Sequence, residues 1–145
     1  MLSKYLRLLI KDRRMSDYQG SCLCGAVTFS IKGQFDSFYL CYCSYCQKDS
    51  GSAHAANLFS QSAVLHWNSG LNAVTTFNLP GSRHSKSFCK HCGSAVPGSE
   101  IPGVLMVPAG SLDCEIDITP TARIFTSRQH RWCSCWVLDA VAHLQ

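Results

Sequence analysis

The sequence predicts a single mainly β domain, and three observations carry that reading. Apolar and polar residues alternate in short runs, Gly, Pro, Asn and Ser interrupt those runs every 8–12 positions, and no long segment shows helical periodicity before the C terminus. At 145 residues, with 46% hydrophobic and 15% charged residues, the chain has the size and composition of one folded domain. Residues 1–17 read as an N-terminal extension and residues 18–145 as the domain.

Taken in order, Leu2, Leu6, Leu9 and Ile10 fall at helical spacing, so the extension is a short amphipathic helix, is disordered, or arises from an upstream start codon with Met15 as the usual initiator. From Gly20 onward the signals are those of strands. Val27, Phe29 and Ile31 alternate with Thr28, Ser30 and Lys32, and Gly33 closes the run. Short runs follow at residues 55–59, 64–67, 74–77 and 85–88, the last leading into Cys89. Residues 103–107 (Gly-Val-Leu-Met-Val) are apolar throughout, as in a strand buried on both faces. Residues 123–126, after Pro120, are expected to be the last strand of the core. A helix is expected only at residues 137–144.

Charge and hydropathy exclude several classes. No run reaches the roughly 18–20 apolar residues of a membrane span. The net charge is +4, but residues 1–17 hold five bases and two acids, which leaves +1 for the rest. If seven cysteines bound two zinc ions as thiolates, that remainder would fall to about −2. A basic tail on a near-neutral domain is a poor nucleic-acid footprint, so no nucleic-acid partner is expected.

The ten cysteines are the outlier. Met1–Arg14 carries Lys4, Arg7 and Lys11 among its apolar residues, which breaks the apolar stretch of about 7–15 residues that a secretory signal needs. Without an export signal, the cysteines read as metal ligands or redox thiols in a reducing, cytoplasmic setting rather than as a disulfide scaffold. Seven of them form three groups: Cys22-Leu23-Cys24-Gly25, then Cys41-Tyr42-Cys43-Ser44-Tyr45-Cys46, then Cys89-Lys90-His91-Cys92-Gly93. Two thiolates in one tight turn followed by Gly make half of a tetrahedral zinc site, because Gly takes the positive φ that turns backbone amides toward the sulfurs. Cys22, Cys24, Cys89 and Cys92 therefore compose one structural site. A thioredoxin-like redox pair at Cys89/Cys92 would want a βαβ context that the sequence lacks.

Cys41, Cys43 and Cys46 offer three thiolates without a partner pair. Three protein ligands and one open position make a catalytic zinc site, where an incoming thiol or water would be acidified. The alternative is a closed site, with His54, Cys114, Cys133 or Cys135 as fourth ligand.

Three blocks together resemble a known family: Gly20–Val27 with its Cys-x-Cys-Gly, the run Cys41-x-Cys43-x-x-Cys46-Gln47-Lys48 with Gly51, and Phe88-Cys89-x-x-Cys92-Gly93. They resemble the glutathione-dependent formaldehyde-activating enzyme family, which includes centromere protein V. Arg123–Arg128 and Trp132 are similar to its final block. The resemblance implies an Mss4-like fold of coiled antiparallel β-sheets stapled by zinc. It implies a structural zinc at Cys22, Cys24, Cys89 and Cys92, and a second, catalytic zinc at Cys41, Cys43 and Cys46. It also implies a carbon–sulfur lyase that joins a glutathione-like thiol to formaldehyde. Two positions depart from the family pattern: Tyr42 stands where members usually carry His, and Gln47 where a basic residue is usual.

Of the remaining candidates, His54 is either an acid–base group near the second metal or an exposed loop residue, and Lys48 and Arg128 are either partners for a glutathione carboxylate or solvated charges. Cys114 reads as incidental, and Cys133 and Cys135 read as small hydrophobes beside Trp132 and Trp136. The competing function is a non-catalytic binding module in which both metals are structural.

Overall fold

The computed structural model describes residues 16–134. Residues 1–15 of the N-terminal extension, the helix expected at residues 137–144 and Cys135 lie outside the described residues. Ten strands and one α-helix are described: β1 (Asp17–Ser21), β2 (Thr28–Lys32), β3 (Ser37–Cys41), α1 (Ser44–Ser50), β4 (Ala55–Ser60), β5 (Val64–Ser69), β6 (Val74–Asn78), β7 (Ser85–Cys89), β8 (Gly98–Ile101), β9 (Val104–Pro108) and β10 (Ala122–Ile124). No described helix is long and apolar enough to cross a membrane.

The strands form a three-stranded sheet in the order β1-β2-β5, a five-stranded sheet β10-β3-β4-β9-β8, and the hairpin β6-β7. Every pairing is antiparallel except β10 with β3, which is parallel. The mainly β, antiparallel prediction therefore holds.

The alternation read in β2 has the expected effect. Phe29 and Ile31 are fully buried and meet Tyr18, Phe38, Leu58, Leu105 and Val107 from the facing sheet strands and β1. Each such side chain contributes about 1.5–3 kcal/mol by leaving water. β9 is apolar on both faces for a reason the sequence does not reveal. Leu105 and Val107 point into this core, whereas Met106 and Pro108 line a cavity on the other side of the sheet.

A second, smaller core holds Cys22, Val27, Ala73, Cys89 and Val96. Gly70 lets β5 close against it: a Cβ there would lie 2.0 Å from the Ala26 carbonyl oxygen, and the backbone already sits at φ +70°.

Three expectations are corrected. Residues 123–126 do not form a core strand. β10 is a three-residue edge strand, and the chain leaves it at Phe125, which is exposed and holds φ 55°. A parallel edge pairing of three residues buries little, which explains why it is short. The helix α1 is the second, because no apolar periodicity announces Ser44–Ser50. Its ends are fixed locally instead, by the Cys43 thiol at the N-cap and by Gly51 at φ 65° at the C-cap. Third, Cys133 is not a buried hydrophobe packed beside Trp132. It lies in the 3-10 turn Arg131–Ser134, half-buried, and Trp132 is exposed and stacked on His130.

Candidate metal centres and the cavity beside them

Two turns with matching hydrogen bonds build the first cysteine cluster. The Cys22 N–H donates to the Val27 carbonyl (3.0 Å) and the Cys89 N–H to the Ser94 carbonyl (2.9 Å). The Gly25 N–H donates to Cys22 O and the Gly93 N–H to Cys89 O. Both glycines take the left-handed conformation, φ 74° and 75°, where other residues are strained. Ser94 joins the two turns: its hydroxyl oxygen accepts from the Leu23 N–H at 3.0 Å and lies 3.4 Å from Cys92 Sγ.

The four sulfurs of Cys22, Cys24, Cys89 and Cys92 lie within 4.8 Å of one another. Tetrahedral Zn–S bonds of about 2.3 Å require sulfurs about 3.8 Å apart. The separations of 3.5 Å for Cys22–Cys24 and 3.9 Å for Cys24–Cys89 bracket that value. The protonation pattern fits a set waiting for a cation. Hydrogen bonds from Ser94 and from backbone N–H groups pull the Cys92 thiol down to about 5. Cys24 is pushed up to about 11: the Ala26 N–H favours its thiolate, but the thiol of Cys22, partial burial, Cys92 and Cys89 outweigh it. Four thiolates this close ionise together only when a metal balances their charge.

The second cluster sits where β3 runs into α1. Cys41 ends β3, Cys43 caps the helix, and Cys46 lies in its first turn. Cys43 Sγ accepts from the Cys46 N–H at 3.4 Å, and the Gln47 N–H closes the turn on Cys43 O at 3.0 Å. The three sulfurs lie within 4.8 Å of one another, and among the described residues no fourth His, Cys, Asp or Glu ligand atom joins them at that distance. Burial, and then the thiols of Cys41 and Cys43, push the Cys46 thiol well up. Burial opposes ionisation of Cys43 too, but N–H groups of Cys46 and Tyr45 and the neighbouring thiols hold it below its ordinary value. Burial raises Cys41.

Cys41 and Cys46 form part of the wall of a cavity of about 370 Å³, shared with His54, Asp49, Arg83, His84, Lys86, Phe59, Met106 and Ile124. His54 is half-buried rather than exposed. Its ring packs on Tyr42 with centroids 4.9 Å apart, and its Nδ1 is buried with no hydrogen-bond partner. Tyr42 in turn carries the Arg123 guanidinium 4.8 Å from its ring centroid, a cation–π contact.

The other candidates fall elsewhere. Lys48 and Arg128 are exposed and neither lines the cavity. Gln47 is buried; its Nε2 donates to the carbonyls of Tyr42 and Arg128, holding the turn after β10 against α1. A cation would be costly there, which accounts for the neutral residue. Cys114 is exposed and lies 3.7 Å from the Gln19 carbonyl. Asp49, Arg83, His84 and Lys86 went unread in the sequence. The signal was available only once α1 was known, since Asp49 stands three residues after Cys46 on one side of it.

Comparison with known proteins agrees with this architecture. The chain superposes on the crystal structure of a Rhodobacter sphaeroides protein with a TM-score of 0.52 and 23% identity, covering 68% of this chain and 91% of that one. That likeness concerns the fold alone. No curated protein matches the chain. The family model for the glutathione-dependent formaldehyde-activating enzyme matches residues 17–128. Those residues span β1 to the turn after β10 and hold all seven clustered cysteines. The chain belongs to the glutathione-dependent formaldehyde-activating enzyme family.

Proposed function

We propose that the protein is a zinc-dependent carbon–sulfur lyase-like enzyme that joins a small, glutathione-like thiol to a carbonyl such as formaldehyde. The observation that carries the reading is the three-sulfur cluster of Cys41, Cys43 and Cys46, two of which line the cavity, without a fourth ligand among the described residues. Three soft thiolates select zinc over hard cations. Zinc held there would lower the pKa of a thiol entering its open position. Cys22, Cys24, Cys89 and Cys92 hold a structural zinc on this reading.

The chain's own groups supply the rest. In the reaction, the substrate sulfur bonds to the carbonyl carbon, the C=O π pair moves to oxygen, and the proton lost by the thiol ends on that oxygen. On this reading His54, whose ring lines the cavity, carries that proton as the acid–base group, while its Nδ1 is itself buried without a partner. The apolar side chains of Phe59, Met106 and Ile124 keep the site poor in water, which strengthens charge interactions inside it.

The test is spectroscopic. Cobalt is loaded in place of zinc and glutathione is added. A change in the ligand-field and sulfur charge-transfer bands that Cys43→Ser abolishes supports a thiol entering the second site. No change on addition of thiol leaves the non-catalytic binding module as the better account.

A further inference from the structure

We propose that Cys43 and Cys46 are a redox pair: an oxidant of the peroxide class closes them into a disulfide, the second cluster then gives up its metal, and a thiol reopens the bridge. The inference adds a control to the site read above as thiol-binding, and it rests on that reading only for what the control governs.

The chain has two Cys-x-x-Cys motifs, and the fold uses them differently. Cys89 and Cys92 close a turn at Gly93 and share their site with two further cysteines. Cys43-Ser44-Tyr45-Cys46 instead opens α1 and has only Cys41 beside it among the described residues. A dithiol of this spacing at the start of a helix is the setting of redox-active cysteines. The Gln47 N–H on Cys43 O closes the first α-turn, which sets the Cα atoms of Cys43 and Cys46 about 5 Å apart. That is inside the span of about 4.4–6.8 Å that a disulfide bridges, and the sulfurs already lie within 4.8 Å of each other. Cys41 is less suited. It pairs with Ala55 and Ile124 at the end of β3, and the next N–H, that of Tyr42, donates to the Ile124 carbonyl. Extended residues two apart are about 6.5 Å from each other, so bridging Cys41 to Cys43 would pull this strand pairing open.

Cys43 is the thiol an oxidant reaches first, because it is half-buried where Cys41 and Cys46 are buried. Its sulfur attacks one peroxide oxygen, the O–O bond breaks, and the departing hydroxide takes a proton to become water. Cys43 is left as a sulfenic acid, and the Cys46 sulfur displaces hydroxide from it, which leaves as a second water. Each sulfur has given up one electron and the peroxide has gained two. Two of the three donors are consumed, and Cys41 alone does not hold a metal ion. Reversal takes two equivalents of thiol: the first forms a mixed disulfide, and the second attacks it, frees the pair and leaves the two external thiols joined. The helix itself stays in place, because contacts that need no metal hold it. Gln47 Nε2 donates to the carbonyls of Tyr42 and Arg128, Ser50 Oγ to the Cys46 carbonyl at 2.7 Å, and Lys86 Nζ to the Asp49 carboxylate at 2.6 Å.

Reduced, zinc-loaded protein treated with a small excess of hydrogen peroxide tests this. One of the two zinc equivalents should be released to a chromogenic chelator with the far-UV circular dichroism unchanged, and the tryptic peptide 33–48 should become two hydrogens lighter. Glutathione with zinc should restore both mass and metal. Cys41→Ser should still close the bridge, whereas Cys43→Ser and Cys46→Ser should gain oxygen instead. A wild-type peptide that only gains oxygen overturns the pair, as does a bridge that Cys43→Ser still forms or that Cys41→Ser loses. The cobalt test of thiol entry fails separately: a reversible bridge in protein whose cobalt bands ignore glutathione keeps the redox pair and removes the lyase reading, and the opposite result removes the pair alone.

Discussion

Cys24 Sγ lies 3.9 Å from Cys89 Sγ although 65 residues separate them. Cys24 lies in the turn between β1 and β2, Cys89 ends the β6-β7 hairpin, and Ser94 bonds to both turns. A metal at this point would close a loop through half of the fold.

Replacing Cys92 by Ser should therefore destabilise the whole domain. Structural zinc sites contribute about 10–16 kcal/mol in small domains, and losing even about 3 kcal/mol lowers the melting temperature by roughly 10 °C. Thermal unfolding followed by circular dichroism checks this. A variant that melts like the wild type removes the structural role.

Chelation should separate the two clusters. Three thiolates from one short segment coordinate less strongly than four, so one metal equivalent should leave early with the far-UV spectrum intact. The second should leave only with unfolding. Metal release measured with a chromogenic chelator during the titration reads this directly. Cys43→Ser should lose the early equivalent and keep the melting temperature within a few degrees.

His54→Phe preserves a ring against Tyr42 and removes the buried nitrogen. The rate of glutathione addition to formaldehyde should fall by about 10²-fold or more, as for loss of a general acid–base group. Metal content should be unchanged. An unaltered catalysed rate would assign the proton to water or to another group.

Gly70→Ala tests the packing behind the first cluster. The left-handed backbone costs about 1–2 kcal/mol for an L side chain, and the new Cβ meets the Ala26 carbonyl oxygen at 2.0 Å. A total loss of about 3 kcal/mol is expected in denaturant unfolding, with overpacking adding to the strain. Gly81→Ala is the control for strain without a clash, because nothing lies within 4 Å of its Cβ position.

Much of this protein was legible before folding, for physical reasons that act locally. Phe29 and Ile31 alternate with polar residues because β2 has one buried face, and a two-residue period survives in the sequence wherever that is so. The Cys-Gly turns were readable because both thiol spacing and positive φ are properties of four or five consecutive residues. The grouping of Cys22 and Cys24 with Cys89 and Cys92 was inferable because half of a tetrahedral site requires its other half. The family followed from the same residues.

What only the tertiary structure decided depends on contacts between distant segments. α1 has no apolar stripe, since seven residues capped by Cys43 and Gly51 need none, and so its face bearing Cys46 and Asp49 stayed hidden. Lys48 and Arg128 read as carboxylate partners or as solvated charges, and the structure leaves both exposed and off the cavity wall, which the β6-β7 hairpin lines with Arg83, His84 and Lys86. His54 read as an acid–base group or, more readily, as an exposed loop residue, and only the fold of β4 against β3 placed it on Tyr42 with a nitrogen left unpaired. Sequence determined which thiols could gather, because metal ligation is encoded in spacing; folding decided which charges face them, because a cavity wall is assembled from strands that share no local pattern.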